Sequence, residues 1–530
     1  MRFSVIGTMK FLASVNYGGL NVKKLFKIQK PTFIDNNSYK IVNQRPVLAS
    51  EHIYQNVKFM EDAFYHTEDL HKKEIIFNKK RCIFMYLHAM IDKKVLESRV
   101  VKPLLETKEG DIEHTVSVVT VQKVNDLNHV KMALIRGYSA LFVENSDTVY
   151  MFNVPSSITR NIEEPSNEQV IRGSHEGMVE EIEKNLHLIR KRIENPNLVV
   201  KFLTLGEATG TKIAILFIQN LTNPRLVDQV EKRLRAITTD AIQTPGFIEA
   251  YIEDSTFSPF PQILNTERPD RVASMLMEGR VALLMDGSAS ALVMPVTFFT
   301  FYQSPDDYNS RFYAGSLFRL FRLISFILAI SLPAIYIATI SFHFEVIPAE
   351  LLFTVKSSLE NVPFPPLIEA VIMVIILELL KEAAVRLPAP IAQTIGVVGG
   401  LVIGTAIVEA SLVSNMMIIV IALTAISSFI VPSNEMSVTL RIISFPMMLG
   451  ASILGYLGIV FILMVLLMHL CRLETFGTPY FAPFAPFRAQ DIKDTIIRLP
   501  RWKMNQRPLD PHPQELKQQS ISREWKQNGK

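Results

Sequence analysis

Leu323–Phe344 reads LISFILAISLPAIYIATISFHF, 22 residues without an Asp, Glu, Lys or Arg. At about 1.5 Å per residue, a helix of that length crosses a hydrocarbon core of ~30 Å. Pro333 lies inside the run, where a proline removes a backbone donor and kinks a helix. Arg311, Arg319 and Arg322 come before it, interleaved with Phe312, Tyr313, Phe318 and Phe321. Aromatic and basic residues mixed in this way suit the headgroup level of a bilayer. The stretch marks an integral membrane protein and divides the chain. Charges are dense before it, sparse from there to Leu470, and dense again afterwards.

Four further apolar stretches follow, so the candidate segments are 323–344, 366–387, 391–410, 411–431 and 442–471, within a helical membrane domain at 311–471. The flank before the first is basic, and Glu345–Pro365 carries three glutamates against one lysine. The tail 472–530 carries eleven Lys and Arg against six Asp and Glu. By the bias of basic loops toward the cytoplasm, both ends of the membrane domain face that side. This requires an even number of crossings, whereas the apolar stretches number five. Either one of them is re-entrant or interfacial, or the 30-residue uncharged run Ile442–Cys471 turns back at Gly450, Gly455 or Gly458. The tail is expected to be disordered after about residue 510.

Before the membrane domain lie about three hundred residues of soluble character. Val130–Met151 (VKMALIRGYSALFVENSDTVYM) and Val272–Val293 (VASMLMEGRVALLMDGSASALV) align without a gap. Each reads as a helix, a glycine, a strand, a turn at Asn145-Ser146 or Gly287-Ser288, and a second strand. Strand-like runs at Cys82–Leu87 and Lys212–Ile218 precede the two copies, each followed by a helical pattern. The expected fold class is an α/β soluble region, two related subdomains with helix–β-hairpin repeats, followed by an all-α polytopic membrane domain. The subdomains span 51–160 and 198–310, joined by a charged helical connector at 161–197. Residues 1–50 form a poorly defined extension without a signal-peptide pattern.

Ionisable groups inside a span cost about 2.5–3.5 kcal/mol each on insertion scales, so they normally face protein or water. Glu378, Glu382 and Arg386 are four apart and share one helix face, with Lys381 beside Glu378. Glu369 lies about half a turn out of phase with Glu378, and Glu409 ends the next segment. The group reads equally as a charged stripe lining a water-filled vestibule or as a salt-bridge network locking neighbouring helices. Gly396, Gly400 and Gly404 repeat at four-residue intervals, a pattern for close helix contact. The aliphatic residues among them, Val402 and Ile403 above all, suit a gate that closes a pore by dewetting; packing within one protomer is the alternative. Pro363, Pro365 and Pro366 serve as a gate hinge or as a rigid turn into a span.

The composition is 48% hydrophobic and 20% charged with a net charge of +4, and no basic patch carries interleaved aromatics, which speaks against nucleic-acid binding. Two cysteines, Cys82 and Cys471, make neither a disulfide framework nor a metal site. Phosphate-cradling, nucleophile-elbow and zinc-protease patterns are absent, so neither catalytic residues, nor a cofactor, nor enzymatic activity is expected.

Many short motifs, in order, resemble one family. They include Arg172–Gly177, Asn185–Arg192, Ser258–Gln262, Thr266–Asp270, Asp286-Gly287-Ser288 and Ser304–Tyr308. In the membrane part they are Pro363–Pro366 with Glu369, Glu378, Glu382, Arg386-Leu387-Pro388 and Gly399–Glu409; in the tail, Asp491, Asp494, Arg498, Pro500 and Arg507-Pro508. From about His52 to Pro508 the chain resembles the A subunit of GerA-type spore germination receptors. It departs from the family pattern at Ser174–Glu180. The resemblance implies a subunit in the inner membrane of the endospore, with its soluble region and tail on the cytoplasmic, core side. It implies a transporter-like, nutrient-binding B subunit and a lipoprotein C subunit as partners. It also implies a homo-oligomer, a pentamer, forming a nutrient-gated ion channel; a non-conducting scaffold that relays the signal is the alternative.

Overall fold

Gly137 and Gly279 have φ of +87° and +94°, and the backbone turns there from a helix into a strand in each repeat. In the computed structural model the described residues are 46–107, 110–116, 119–156, 164–165, 167–360, 362–520 and 523, excepting the side chains of 389, 390, 395 and 403. Most of the N-terminal extension, residues 1–45, lies outside them. In the first repeat, α1 (Ile53–Ala63) leads into β1 (Leu70–Phe77), β2 (Lys80–Leu87), β3 (Val121–Val124), α2 (Leu127–Ile135), β4 (Tyr138–Val143) and β5 (Val149–Asn153). In the second, α3 (Ile182–Arg192) leads into β6 (Leu198–Leu205), β7 (Thr211–Ile218), α4 (Pro224–Arg235), α5 (Pro245–Ile252), β8 (Leu264–Thr266), α6 (Pro269–Leu276), β9 (Val281–Met285) and β10 (Ala291–Met294). The sheet orders are β1-β2-β4-β5-β3 and β6-β7-β9-β10-β8, one topology used twice. Register repeats too: Cys82 pairs with Val143 as Ile213 pairs with Met285. The hairpin turns fall at Asn145 and Gly287, both at positive φ, as the aligned sequences predict.

The connector differs from its expected helical character. Among its described residues only α3 is helical, and α3 belongs to the second repeat as α1 belongs to the first. The residues before it are held by tertiary bonds instead. The Ile171 and Arg172 amides donate to Asp306, and Arg268 donates to the Glu168 and Ser174 carbonyls. The two repeats join through α3. Buried Arg190 donates to both Asp69 oxygens at 2.6 and 2.7 Å, Thr67 donates to the same carboxylate, and the Glu68 amide donates to the Val200 carbonyl. The edge of β6 is thus partly covered by the chain entering β1. The corresponding stretch of β1 carries Lys72 and Lys73, paired with Glu61 and Glu97. Charges of this kind discourage further strand addition.

Behind β10, the buried rings of Phe298, Phe299 and Tyr302 meet Phe326, Phe481 and Phe484. One hydrophobic core therefore runs from a face of the second sheet into the helical layer. That layer comprises α7 (Phe312–Phe342), α8 (Ala349–Glu360), α9 (Pro366–Arg386), α10 (Ala389–Glu409), α11 (Asn415–Phe429), α12 (Asn434–Leu454) and α13 (Tyr456–Arg472). α7 continues through Pro333.

Polar contacts give the direction of each rod. On the side away from the soluble region, Tyr336 of α7 reaches Ser414 at 3.1 Å and Thr339 reaches Tyr456 at 2.7 Å. The Ser414 amide there donates to Glu369 at the start of α9. On the near side, Glu378 and Lys381 of α9 meet Arg441 of α12 and Phe429 of α11. α7, α10 and α12 run outward, and α9, α11 and α13 return.

The 30-residue run is two helices, and Gly455 alone, at φ +60°, turns the chain between them. The six rods bring both ends of the helical layer to the side of the soluble region. The 411–431 stretch also contracts: its helix begins at Asn415, after Ser414 caps it by accepting from the Met417 amide. Three of the rods, Phe312–Phe342, Ile391–Glu409 and Asn434–Leu454, are long and apolar enough to cross a membrane. The 15 and 17 residues of α11 and α13 make them shorter apolar helices.

Residues 511–520 of the tail depart from the disorder expected after about residue 510, and residues 521–522 and 524–530 lie outside the described residues. The Gln514 amide donates to the Leu221 carbonyl, and Gln514 Nε2 to the Thr222 carbonyl. Arg507 donates to the carbonyls of Met277, Glu515 and Lys517. These contacts hold the chain onto the second subdomain beyond residue 510.

Candidate functional site: charged and glycine-bearing helices

The ionisable residues of α9 and α10 fall at four separate places. Glu378 lies 2.7 Å from Arg441 and 3.6 Å from Lys381, whose ammonium sits 4.4 Å from the Phe429 ring centroid. These contacts tie α9 to α12 and α11. A cavity of about 20 Å³ lies among Glu378, Lys381, Ser428, Arg441 and Ser444. One turn away, Glu382 and Arg386 pair with each other on the exposed surface. Glu369 is fully buried at the far end, where it accepts from the Ser414 amide at 2.9 Å and fastens the α10–α11 loop. Glu409 is exposed at the end of α10.

α10 is the least covered of the long helices. Val397, Val398, Leu401 and Val402 are exposed, and nothing lies within 4 Å of a Cβ built on Gly396, Gly400 or Gly404. Within the single chain, the described residues leave this glycine stripe open. Ile403 belongs to the helix, but its side chain lies outside the described residues. Pro363 and Pro365 sit in the connection from α8, and Pro366 opens α9 after Pro365 at φ −66°, ψ 153°. A proline ring suits this first helical position, where no backbone donor is needed.

A second polar cluster escaped the sequence reading. Arg319, read as a headgroup-level arginine, is 2% exposed. It donates to Asp307 at 3.0 Å and to Asp494 at 2.8 Å. Arg322 donates to the same Asp307 at 2.7 Å. Tyr308 donates to Asp494 at 2.8 Å, and Arg498 donates to the Tyr308 and Ser310 carbonyls. Burial, with the Asp494 charge beside it, pushes the Tyr308 phenol far above its usual range. The cluster binds three parts of the chain at one point: the linker after the second subdomain, the first turns of α7, and the tail. Its signal in the sequence was indirect, since Asp307, Tyr308, Asp494 and Arg498 all belong to the family motifs. Where α5 meets the start of α12, burial and the neighbouring Glu435 and Glu253 push Glu249 up to about 8.

A duplicated α/β region, set on one side of a six-rod apolar helical layer and tied to it by a shared core and a buried ion cluster, defines a polytopic membrane-protein class. The chain belongs to the GerA family: the model described as Bacillus/Clostridium GerA spore germination protein matches residues 58–509. Spore germination protein B1 of Bacillus subtilis is 39% identical over 83% of this chain and 92% of its own. The uncharacterized membrane protein YfkQ of the same organism is 36% identical over 88% of this chain and 92% of its own. The crystal structure of the N-terminal domain of the A subunit of the Bacillus megaterium spore germinant receptor GerK3 matches 48% of this chain and 98% of that chain, with 25% identity and a TM-score of 0.38.

Proposed function

We propose that the chain is the A subunit of a nutrient-responsive germination receptor, and that α10 helices from several copies line a nutrient-gated ion path. The observation that carries this reading is the uncovered state of α10, with its open glycines and exposed aliphatic residues. A small-residue stripe lets helix backbones approach closely inside a bilayer. A ring of Val402 and Ile403 around the common axis closes a narrow pore by excluding water. A homopentamer is the proposed assembly, with a transporter-like B subunit that binds nutrient and a lipoprotein C subunit. The proposed place is the inner membrane of the endospore, with the soluble region and tail facing the core, in keeping with their basic flanks. No reaction is catalysed in this reading.

A second reading, a non-conducting scaffold, draws on the core shared by the second subdomain and the helices, which suits mechanical relay. Vesicles holding A, B and C subunits distinguish the two. The channel reading expects monovalent cation efflux only on nutrient addition, and leak without nutrient when Val402→Ser is introduced. Permeability unchanged by nutrient and by Val402→Ser would overturn it and favour the scaffold.

A further inference from the structure

We propose that the loop 255–258 is a lipid-contact foot: it sets Phe257 into the headgroup–acyl boundary of the bilayer that holds the helical layer. The proposal rests on the reading that this layer spans a membrane. A single exposed apolar residue is ordinary on a protein surface. Phe257, 102% exposed, is set apart by where it is fixed.

The loop is closed on itself, since Gln262 accepts from the Ser255 amide at 3.0 Å and donates to the Ser255 carbonyl at 2.7 Å. It is also bonded to two of the membrane helices. Ser258 Oγ lies 2.9 Å from His469 Nε2 on α13, and Thr439 on α12 donates to the Pro259 carbonyl at 2.5 Å. The Phe260 ring stacks on the His469 ring with centroids 6.1 Å apart.

On both helices the exposed apolar surface begins at that level. Val438 and Met468, each one residue from an attachment point, are exposed, as are Ile442 and Val465 about a turn further in. The apex of the loop therefore stands at the edge of the apolar belt, where an aromatic ring is favoured. Asp254 next to the loop is neutralised by Arg233 at 2.5 Å and accepts from the Phe476 amide. A shallow apolar contact of this kind needs no particular headgroup charge.

The test uses the full chain with Cys471→Ser and Thr256→Cys, Cys82 being buried. A fluorescent label at 256 leaves Phe257 in place. The protein is reconstituted in phosphatidylcholine vesicles containing lipids with a nitroxide near the headgroup or deep in the acyl chain. A label at Leu449→Cys, exposed in the outer half of α12, serves as a spanning control, and one at Ile171→Cys as a water control. The expected result is quenching at 256 severalfold stronger by the shallow nitroxide than by the deep one. Iodide quenching at 256 should be severalfold weaker than at 171, and Phe257→Asp should abolish the shallow quenching. Quenching by iodide as strong as at 171 would overturn the proposal. So would shielding from both iodide and nitroxide, which would place a neighbouring protein there. Failure of the deep nitroxide to quench at 449 would overturn the spanning reading itself, whereas normal quenching at 449 without effect at 256 overturns only the foot.

Discussion

Gly458→Ala is expected to destabilise the helical layer by more than about 3 kcal/mol, the upper part of the range for overpacking. A Cβ on Gly458 would stand 1.9 Å from the Gly450 carbonyl oxygen and 2.4 Å from its carbonyl carbon. Both are backbone atoms, so no rotamer change relieves the clash. Relief requires α12 and α13 to separate, which breaks the hairpin that returns the chain to its starting side. Gly455→Ala acts differently, through a backbone conformation of φ +60° and ψ −137° that residues with a Cβ scarcely adopt; its cost is about 1–3 kcal/mol. Gly400→Ala is the contrast, since nothing lies within 4 Å of its Cβ and the protomer should tolerate it. Thermal midpoints of the detergent-solubilised full chain check the order. Equal midpoints for Gly458→Ala and Gly400→Ala would remove the hairpin as described.

The second large effect belongs to Asp307→Ala. Asp307 is fully buried and pairs with both Arg319 and Arg322. Removing one partner of a buried ion pair leaves an uncompensated charge and typically costs about 3–5 kcal/mol. Arg319 keeps Asp494, whereas Arg322 keeps only the Tyr302 carbonyl among the contacts described for it. The first turns of α7 and the tail should loosen together, because Arg498 also donates to the Tyr308 and Ser310 carbonyls in the linker that carries Asp307. Limited proteolysis of the full chain reads this as faster cleavage within 473–520. The quadruple replacement Asp307→Leu, Arg319→Met, Arg322→Met, Asp494→Asn, which removes both carboxylates with their two arginines, should recover much of the loss, since apolar or neutral groups of similar volume replace buried ion pairs at little cost. A single Asp307→Ala variant as resistant as the parent would show that the cluster is not what holds the tail.

Much of the fold was legible where local pattern and final structure obey the same rule. Two aligned stretches with glycines at the helix exits and turn residues between strands specify two helix–hairpin units, because positive φ is a local demand that sequence displays. Apart from the charged α9, the helices of the membrane part follow from long uncharged runs. What was not legible depends on contacts distant in sequence. An uncharged run carries no polar residue to mark a turn, so Gly450, Gly455 and Gly458 stood as equals until the Gly450–Gly458 crossing separated them. Arg319 has the setting of a headgroup arginine, and only Asp307 and Asp494, the latter 175 residues away, reveal it as buried. Glu378 shows four-residue spacing with Glu382, yet its partner is Arg441 on another helix. The glycines of α10 read the same whether they meet a helix of their own chain or of a second copy. The connector 161–197 looked helical by charge pattern, but before α3 side chains from elsewhere in the fold take up backbone groups of Glu168, Ile171, Arg172 and Ser174.

The central claim is that six passes leave the soluble region and the tail on one face of the membrane. Membrane-impermeant thiol labelling in sealed vesicles tests it, using single cysteines at Ile171, Glu345, Leu412 and Glu474 in the Cys471→Ser background. The account predicts that 171 and 474 react from one side, and that 345 and 412 react only from the other. Labelling of 474 from the side that labels 345, with 171 on the opposite side, would mean an odd number of crossings and would contradict the account.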